Sequence, residues 1–272
     1  MQEVVPINTA NTTPKSARVA GALSARNTSV RLQAALAAGS DPDPSLLEPL
    51  VERCAVEPDF FVRDMLSWAL TRLPPETVLP RIRRELVSER VQARAQALHL
   101  LSKIGDGSTR AWITRDMLRD ANDRVARTAW RVAVALAPED DEERRGLAGE
   151  LVRQLGRGDR DVRLSLSRAL VDLGDVVAPA LERAAEDPDP EVAAHARATE
   201  LLRRDPESGF DAAVEEAGRV VALGPERAAA AAAAVASADT GAPEASGAPE
   251  ASGTAGASET AVAAEDTEDA DC

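Results

Sequence analysis

The sequence has 272 residues, of which 44% are hydrophobic but only 2% aromatic, and its formal net charge is −14. Residues 211–272 alone carry −11, whereas the residues before them are nearly balanced, with 30 basic and 33 acidic groups. No run approaches the roughly 20 apolar residues that cross a bilayer, the N-terminus lacks a secretory signal, and the two cysteines form no disulfide framework. These features predict a cytoplasmic protein without a membrane segment.

The N-terminal part begins with a polar segment and continues into six copies of one helical pattern. Residues 1–15 are polar, contain two prolines and are predicted to be disordered. Each copy that follows has apolar residues at positions 0, 4, 7, 8 and 11, counted from its first residue. This spacing describes one face of an α-helix. The copies begin at Val30, Val62, Ala93, Val125, Val162 and Val192.

Residues typical of helix starts precede five of the six copies. Their side chains can accept hydrogen bonds from the free amides of the first turn, and each such cap is worth about 1 kcal/mol. These residues are Asn27, Asp59, Asn122, Asp159 and Asp189. The third copy has Arg90 at this place. The pattern therefore predicts where each of these helices begins.

A second amphipathic segment lies between successive copies. These segments cover roughly residues 43–55, 75–88, 108–120, 140–155 and 175–186. Each unit therefore reads as two antiparallel helices, an A helix followed by a B helix, in about 31 residues. One pair cannot bury both of its faces, but stacked pairs share a continuous core. No strand-like alternation occurs, so we expect an all-α protein without a sheet.

Two segments resemble HEAT repeats, in particular the short bacterial repeats grouped with phycobilin lyases. They are DRDVRLSLSRALVDLG at 159–174 and VAPALERAAEDPDPEVAAHA at 177–196. The arginines that the family uses in a ladder between repeats correspond here to Arg31, Arg63, Arg94 and Arg163. The resemblance implies a right-handed α-solenoid of about six antiparallel helix pairs over residues 16–206. It also implies a scaffold or adaptor, a nucleic-acid binder or, more rarely, an enzyme.

The C-terminal part is predicted to leave the repeat pattern in two steps. Residues 207–224 place Phe210, Val214, Ala217 and Val221 at helical spacing, which indicates a helix that caps the solenoid. Residues 225–272 are Ala-rich, then low-complexity and acidic, and are predicted to be a disordered tail. Such a tail increases solubility, or alternatively folds back on a basic groove.

Residues that could carry catalysis are few. His99 and His195 are the two histidines, and neither precedes the glutamate found in the metal sites of HEAT-type deoxyhypusine hydroxylases. No phosphate-binding loop or nucleophile motif occurs, and Cys54 is interpreted as a core thiol among apolar neighbours. We therefore predict a protein that is not an enzyme and needs no metal or cofactor. A lyase-like enzyme is the alternative that the resemblance implies.

The B helices are predicted to line a concave binding groove. Positions 2, 5, 6 and 9 of each copy should point away from the core. The groove residues predicted in this way are Leu36, Trp68, His99, Trp130, Arg131 and Arg168. Tryptophan and arginine are enriched among binding hot spots, so the sequence predicts a scaffold that binds a protein or peptide. The alternative is that these flanks pack against the neighbouring repeat.

A local excess of basic residues suggests nucleic acid as a second class of partner. Residues 76–131 carry twelve basic groups against seven acidic ones. The candidate contacts are Arg81, Arg83 and Arg84 on an A helix, and Arg124 and Arg127 on a B helix. The excess is modest beside the basic footprint of most DNA-binding proteins. Elsewhere, Trp112 is predicted to lie in the core. Phe60 and Phe61 are predicted to fill the junction with the first repeat, with exposure of one of the two as the alternative.

Overall fold

The structure is a computed structural model that describes residues 14–206, 209–224 and 226–227. Within these ranges all regular secondary structure is helical, so the prediction of an all-α protein is confirmed. The predicted disordered tail and residues 1–13 of the predicted N-terminal segment lie outside the described residues, apart from Glu226 and Arg227 of the tail. Over the same ranges, no helix combines the length and apolar character needed to cross a membrane.

Thirteen α-helices are described, and the first twelve form six consecutive pairs. The pairs are α1 (Lys15–Leu23) with α2 (Thr28–Ser40), α3 (Leu47–Cys54) with α4 (Phe60–Thr71), α5 (Pro75–Glu85) with α6 (Val91–Ile104), α7 (Arg115–Leu118) with α8 (Asp123–Ala135), α9 (Asp141–Val152) with α10 (Arg160–Asp172), and α11 (Ala178–Ala184) with α12 (Pro190–Arg204). The last helix is α13 (Phe210–Leu223). The HEAT-like stack of about six helix pairs is therefore confirmed.

The A helices are less regular than the B helices. Short 3₁₀ turns precede α3, α7 and α11, at Pro44–Leu46, Gly107–Trp112 and Gly174–Val177. The first A helix, α1, has no counterpart among the amphipathic segments found in the sequence. Its Leu23 is nevertheless buried in the core, so α1 completes the first pair.

The predicted caps begin the B helices as expected. The carboxylate of Asp59 accepts the Val62 amide at 3.0 Å, and the carboxylate of Asp159 accepts the Val162 amide at the same distance. The side chain of Asn27 likewise accepts the Ser29 amide at 2.8 Å. These bonds satisfy amides that would otherwise lack a partner at a helix start. The side chain of Arg90 makes no such bond, and α6 begins without a side-chain cap.

Each B helix buries a wider arc than the sequence pattern predicts. The residue at position 5 is buried in each of the first five copies, namely Ala35, Ser67, Leu98, Trp130 and Ser167. The prediction that this position points away from the core is wrong. Successive B helices contact one another from α2 to α12, and packed helices lie only about 8–10 Å apart. This flank therefore faces a neighbouring helix.

A buried ion pair joins the first two repeats. Arg31 donates from Nε and Nη2 to the two carboxylate oxygens of Glu57, at 2.7 and 2.8 Å. Arg53 donates to the same carboxylate at 2.6 Å, and so does the Asp59 amide at 3.0 Å. Arg31 and Glu57 are only 5% and 0% exposed, which makes this pair part of the core. The sequence pattern identified Arg31 but not its partner.

The last helix, α13, packs against α12. Phe210, Ala213 and Ala217 are buried in this contact. Val214, which the helical spacing also placed on the packed face, is exposed. The ring of Phe210 lies edge to face with that of His195 on α12, with centroids 6.3 Å apart.

Candidate functional site

The B helices α4, α6 and α8 enclose a cleft of about 400 Å³ on their common surface. It is lined by Phe60, Arg63, Asp64, Ser67, Ala95, Gln96, His99, Arg124, Arg127, Thr128 and Arg131. We name it the arginine cleft, because four of these residues are arginines and only one is acidic. The structure thereby brings the predicted groove residues His99 and Arg131 together with Arg124 and Arg127, which are the predicted nucleic-acid contacts on α8.

Helical periodicity places these side chains in the cleft. Asp64 and Arg127 occupy position 2 of their copies, and His99 and Arg131 occupy position 6. Both positions lie on the side of a helix opposite its buried stripe. Because the three B helices run side by side, the same positions of successive repeats meet in one cleft.

None of the four arginines on the arginine cleft has an acidic partner within the described part of the chain, and three of them lie on α8. No carboxylate among those residues lies within 4.0 Å of the guanidinium of Arg124, Arg127 or Arg131. Burial lowers the pKa of Arg124, as does the charge of Arg63. Burial and the charge of Arg127 lower the pKa of Arg131 in the same way. The positive charges of these arginines are thus held near one another, and no described carboxylate neutralises them.

Arg63, the fourth arginine, departs from the ladder that its equivalents form. Arg31 pairs with Glu57, Arg94 with Asp120 and Arg163 with Glu191, each in the following repeat. Arg63 donates to the carbonyls of Glu57 and Pro58, at 3.0 and 2.6 Å, but no described carboxylate pairs with it. These carbonyl bonds orient the side chain, and its charge stays available to a ligand of the cleft.

The remaining polar groups add little negative charge. Asp64, the single acidic residue of the lining, pairs with Lys103 at 3.1 Å. Burial lowers the pKa of His99, and the charges of Lys103 and Arg131 lower it further against an opposing effect of Asp64. The lowered pKa favours the neutral imidazole, so the positive charge of the arginine cleft comes from its four arginines.

Trp130 is not on the groove surface, and its prediction as a groove residue is wrong. The side chain is 0% exposed, and its Nε1–H donates to the Leu118 carbonyl at 2.8 Å. It occupies position 5, which faces the neighbouring repeat. A tryptophan there fills a large interior volume, so its role is packing.

Trp68 and Leu36 are half-buried rather than free on a groove. The ring of Trp68 lies directly over Gly39, at the end of α2, so closely that a Cβ at Gly39 would collide with it. Any residue larger than glycine at this place would require the indole ring of Trp68 to move. Trp68 thus packs against the preceding repeat, as the alternative interpretation of the groove residues described.

Arg168 is exposed but lies apart from the arginine cleft. It lines a different depression of about 330 Å³, together with Arg160, Leu164 and Phe210. The predicted groove residues therefore do not form one continuous surface. His99 and Arg131 share the arginine cleft, and Arg168 belongs to the C-terminal end.

The arginines proposed for nucleic acid are divided between two layers. Arg81 pairs with Glu48 at 2.8 Å and Glu85 at 2.6 Å. The guanidinium of Arg83 lies 5.0 Å from the ring centroid of Trp112, which is itself half-buried against the core. Arg81, Arg83 and Arg84 belong to the A helix α5, which packs on α4 and α6. They do not share a surface with the arginines of α8.

Two features of this region were not predicted from the sequence. Arg63 was assigned to the ladder, and only its missing partner places it among the free charges of the cleft. Phe60 and Phe61 were expected to fill the junction with the first repeat, but they are 62% and 70% exposed. That expectation is wrong, because more than half of each side chain is in contact with solvent.

Among the described residues, neither a reactive thiol at Cys54 nor a set of metal ligands is found. Cys54 is buried, as predicted, and burial raises the pKa of its thiol to about 12. Such a thiol stays protonated and unreactive near neutral pH. No group of three His, Cys, Asp or Glu side chains among the described residues is close enough to hold a metal ion.

His195 is buried in a hydrogen-bond network at the C-terminal end. Its Nδ1 accepts the Gly156 amide at 3.0 Å, so the ring proton is on Nε2, 3.1 Å from the Arg163 carbonyl and 3.0 Å from the Ser167 hydroxyl. Burial lowers the pKa of His195 to about 4, although the bond to the Arg163 carbonyl acts in the opposite direction. A second proton on Nδ1 would face the Gly156 N–H donor.

We expect His195 to make the protein less stable as the pH falls from about 6.5 to about 4. The unfolded chain takes up a proton near pH 6.5, whereas the folded protein does so only near pH 4. The contribution of neutral His195 to the free energy of unfolding is therefore complete above pH 6.5, and about 3 kcal/mol of it is lost by pH 4. In urea unfolding across this range, His195→Gln should flatten the pH dependence and His99→Gln should preserve most of it. An unchanged slope in His195→Gln would contradict this assignment.

Fold and site together define a HEAT-like helical-repeat protein with a basic cleft on its B helices. No family model and no curated protein matches the sequence. Among solved structures, the chain is similar to the complex of CpcE and CpcF of phycocyanin lyase from Nostoc sp. PCC7120. The match has 20% sequence identity and a TM-score of 0.32, and it covers 81% of this chain and 99% of the matched chain.

The prediction that the chain is not an enzyme is corrected by this match, because the matched chain belongs to the complex of CpcE and CpcF of phycocyanin lyase. The prediction depended on the absence of catalytic motifs from the sequence. Helical repeats bring side chains together from several helices, so a site on such a scaffold leaves no contiguous motif. The expectation of a protein that is not an enzyme is therefore withdrawn.

Proposed function

We propose that the arginine cleft binds an acidic segment of a partner protein. The observation that carries the proposal is the convergence of Arg63, Arg124, Arg127 and Arg131 without a carboxylate partner from the described residues. A guanidinium presents N–H donors in a planar fork that matches a carboxylate. Clusters of arginine are a recurrent means of recognising acidic motifs.

The electrostatics of the arginine cleft favour an anionic ligand. The lowered pKa values of Arg124 and Arg131 reflect partial burial next to other arginines. Bringing like charges together in a partly desolvated place raises the free energy of the unoccupied cleft. A bound carboxylate removes that repulsion and completes the hydrogen bonds of the guanidinium groups. Binding should therefore be stronger than at arginines already paired within the protein.

A peptide fits the arginine cleft better than a nucleic acid does. The cleft extends over only three neighbouring B helices. Nucleic-acid binding requires a longer basic footprint that neutralises many phosphates. Arg81 and Arg83, which would have extended that footprint, are engaged on α5 with acidic residues and with Trp112.

Charge reversal in the arginine cleft should abolish binding of an acidic peptide. The probe is a short labelled peptide of alternating Glu and Gly, compared with its Gln counterpart by fluorescence anisotropy. Arg127→Glu with Arg131→Glu should weaken binding roughly 100-fold, since each charged hydrogen bond contributes about 1.5–3 kcal/mol. The matched control, Arg72→Glu with Arg84→Glu, changes the net charge equally at exposed arginines outside the cleft.

Three results would count against the proposal. Wild-type protein that binds the Glu and Gln peptides equally would remove the role of charge. An equal loss in the control variant would show that net charge, rather than the cleft, attracts the peptide. Preferential binding of a DNA or RNA oligonucleotide, with affinity falling steeply as salt rises, would assign the cleft to nucleic acid instead.

A further inference from the structure

Two large apolar side chains stand exposed beside the arginine cleft. Phe60 and Phe61 are 62% and 70% exposed, and their rings meet edge to face with centroids 5.7 Å apart. Two of the three phenylalanines in the sequence are therefore on the surface. Soluble proteins seldom leave adjacent aromatic rings in water, and such patches commonly mark interaction sites.

The repeat architecture does not account for this pair. Phe60 and Phe61 are the first two residues of α4, directly after the Asp59 cap. The equivalent pairs in the other copies are Thr28–Ser29, Val91–Gln92, Asp123–Arg124, Arg160–Asp161 and Pro190–Glu191. No other copy has two large apolar residues there. The fold therefore tolerates polar residues at these positions, and Phe60 and Phe61 are not needed to begin a helix.

The aromatic pair is continuous with the arginine cleft. Phe60 lines the cleft itself, and the guanidinium of Arg63 lies 5.9 Å from the centroid of its ring. The apolar surface thus begins where the row of positive charges ends. A ligand that occupies the cleft and extends toward the start of α4 would meet carboxylate-binding groups first and aromatic rings next.

We infer that the acidic segment bound by the arginine cleft also carries a large apolar side chain, which packs on Phe60 and Phe61. This inference rests on the proposed function, and it specifies the partner as an acidic linear segment with an aromatic anchor at one end. The arginines supply charge complementarity, and the phenylalanine pair supplies the apolar contact. Aromatic side chains bury much area with little loss of conformational freedom, which makes them effective anchors.

The test uses two peptides and two variants of the full chain. Both peptides contain the same run of Glu and Gly, and one ends in Phe where the other ends in Ser. Wild-type protein should bind the Phe peptide roughly tenfold more tightly, which corresponds to about 1.4 kcal/mol. Phe60→Ala with Phe61→Ala should bind both peptides with the affinity that wild type has for the Ser peptide. The control, Val87→Ala, removes another exposed apolar side chain, 79% exposed and outside the cleft.

Failure of this inference is distinguishable from failure of the proposed function. If wild type binds the Ser peptide but gains nothing from Phe, only the aromatic anchor is overturned. If neither peptide binds, the acidic ligand is overturned and the anchor with it. A tenfold preference that survives in the double variant would place the contact elsewhere. A wild-type dimer that the double variant dissociates, seen by sedimentation, would overturn the inference by making a second copy the occupant.

Discussion

Replacing Glu57 by alanine is expected to lower the free energy of unfolding by about 3–5 kcal/mol, because it leaves buried charge without compensation. Glu57 is 0% exposed and accepts hydrogen bonds from both Arg31 and Arg53. Arg31 is itself only 5% exposed, so its guanidinium cannot recover the lost bonds from water. Urea unfolding followed by far-UV circular dichroism measures the change.

Glu48→Ala is the matched control for this prediction. Glu48 also pairs with an arginine, Arg81, but its side chain is 55% exposed. Ion pairs exposed to this degree contribute about 0–1 kcal/mol. A loss below about 1 kcal/mol in both variants would show that the pair between the first two repeats does not stabilise the stack.

The stabilising contribution of the Glu57 carboxylate should also depend on pH. Burial by itself would raise the pKa of Glu57, but hydrogen bonds from Arg31, Arg53 and the Asp59 amide lower it to about 2. The contribution of Glu57 to stability is therefore complete above the unfolded pKa of about 4.5 and is lost as the pH falls toward 2. Most of this pH window lies below that of His195, so the two contributions to stability can be distinguished in one pH titration.

Trp130→Ala is expected to cost about 3–5 kcal/mol of stability, the range typical of removing a large buried aromatic side chain. The side chain is fully buried, and its loss would also leave the Leu118 carbonyl without its hydrogen bond. Trp130→Phe should lose less, since it retains most of the packed ring. Thermal and urea unfolding of both variants provide the measurement.

Trp68→Ala is the comparison for Trp130→Ala. Trp68 is half-buried over Gly39, so unfolding exposes less of its surface to water than it does for Trp130. Removing the Trp68 side chain should therefore be less destabilising. Equal losses in the two variants would contradict the assignment of Trp130 to the core. Because Trp130 acts through packing, a binding defect in Trp130→Ala would not identify a groove, and the arginine substitutions are the informative ones.

Much of the fold could be predicted from local signals. The Asp59 cap, the apolar spacing that follows Val62, and their equivalents in the other copies act within single helices, and the structure places the B helices accordingly. Helix α1 was missed because its sequence, KSARVAGAL, is only nine residues long and precedes the first copy of the repeated pattern. It is held by contacts with α2 and α3 rather than by its own pattern.

The candidate site could be predicted only in part, and Trp130 with Arg131 shows why. These neighbours in sequence differ by about 100° around α8, and one is 0% exposed while the other lines the arginine cleft. The periodic pattern locates the centre of the buried stripe but not its width. That width depends on how closely the next B helix packs, which no spacing within one helix contains.

The sequence by itself determined the class of fold, the number of B helices and the starts of most of them, because capping and helical periodicity are local properties. Only the tertiary structure decided which side chains share a cleft and which charges remain without a partner. Arg31 finds Glu57 and Arg94 finds Asp120 across a repeat boundary, whereas Arg63 meets no described carboxylate. The three arginines occupy the same position of their repeats, and the difference between them arises from the stacking of neighbouring repeats.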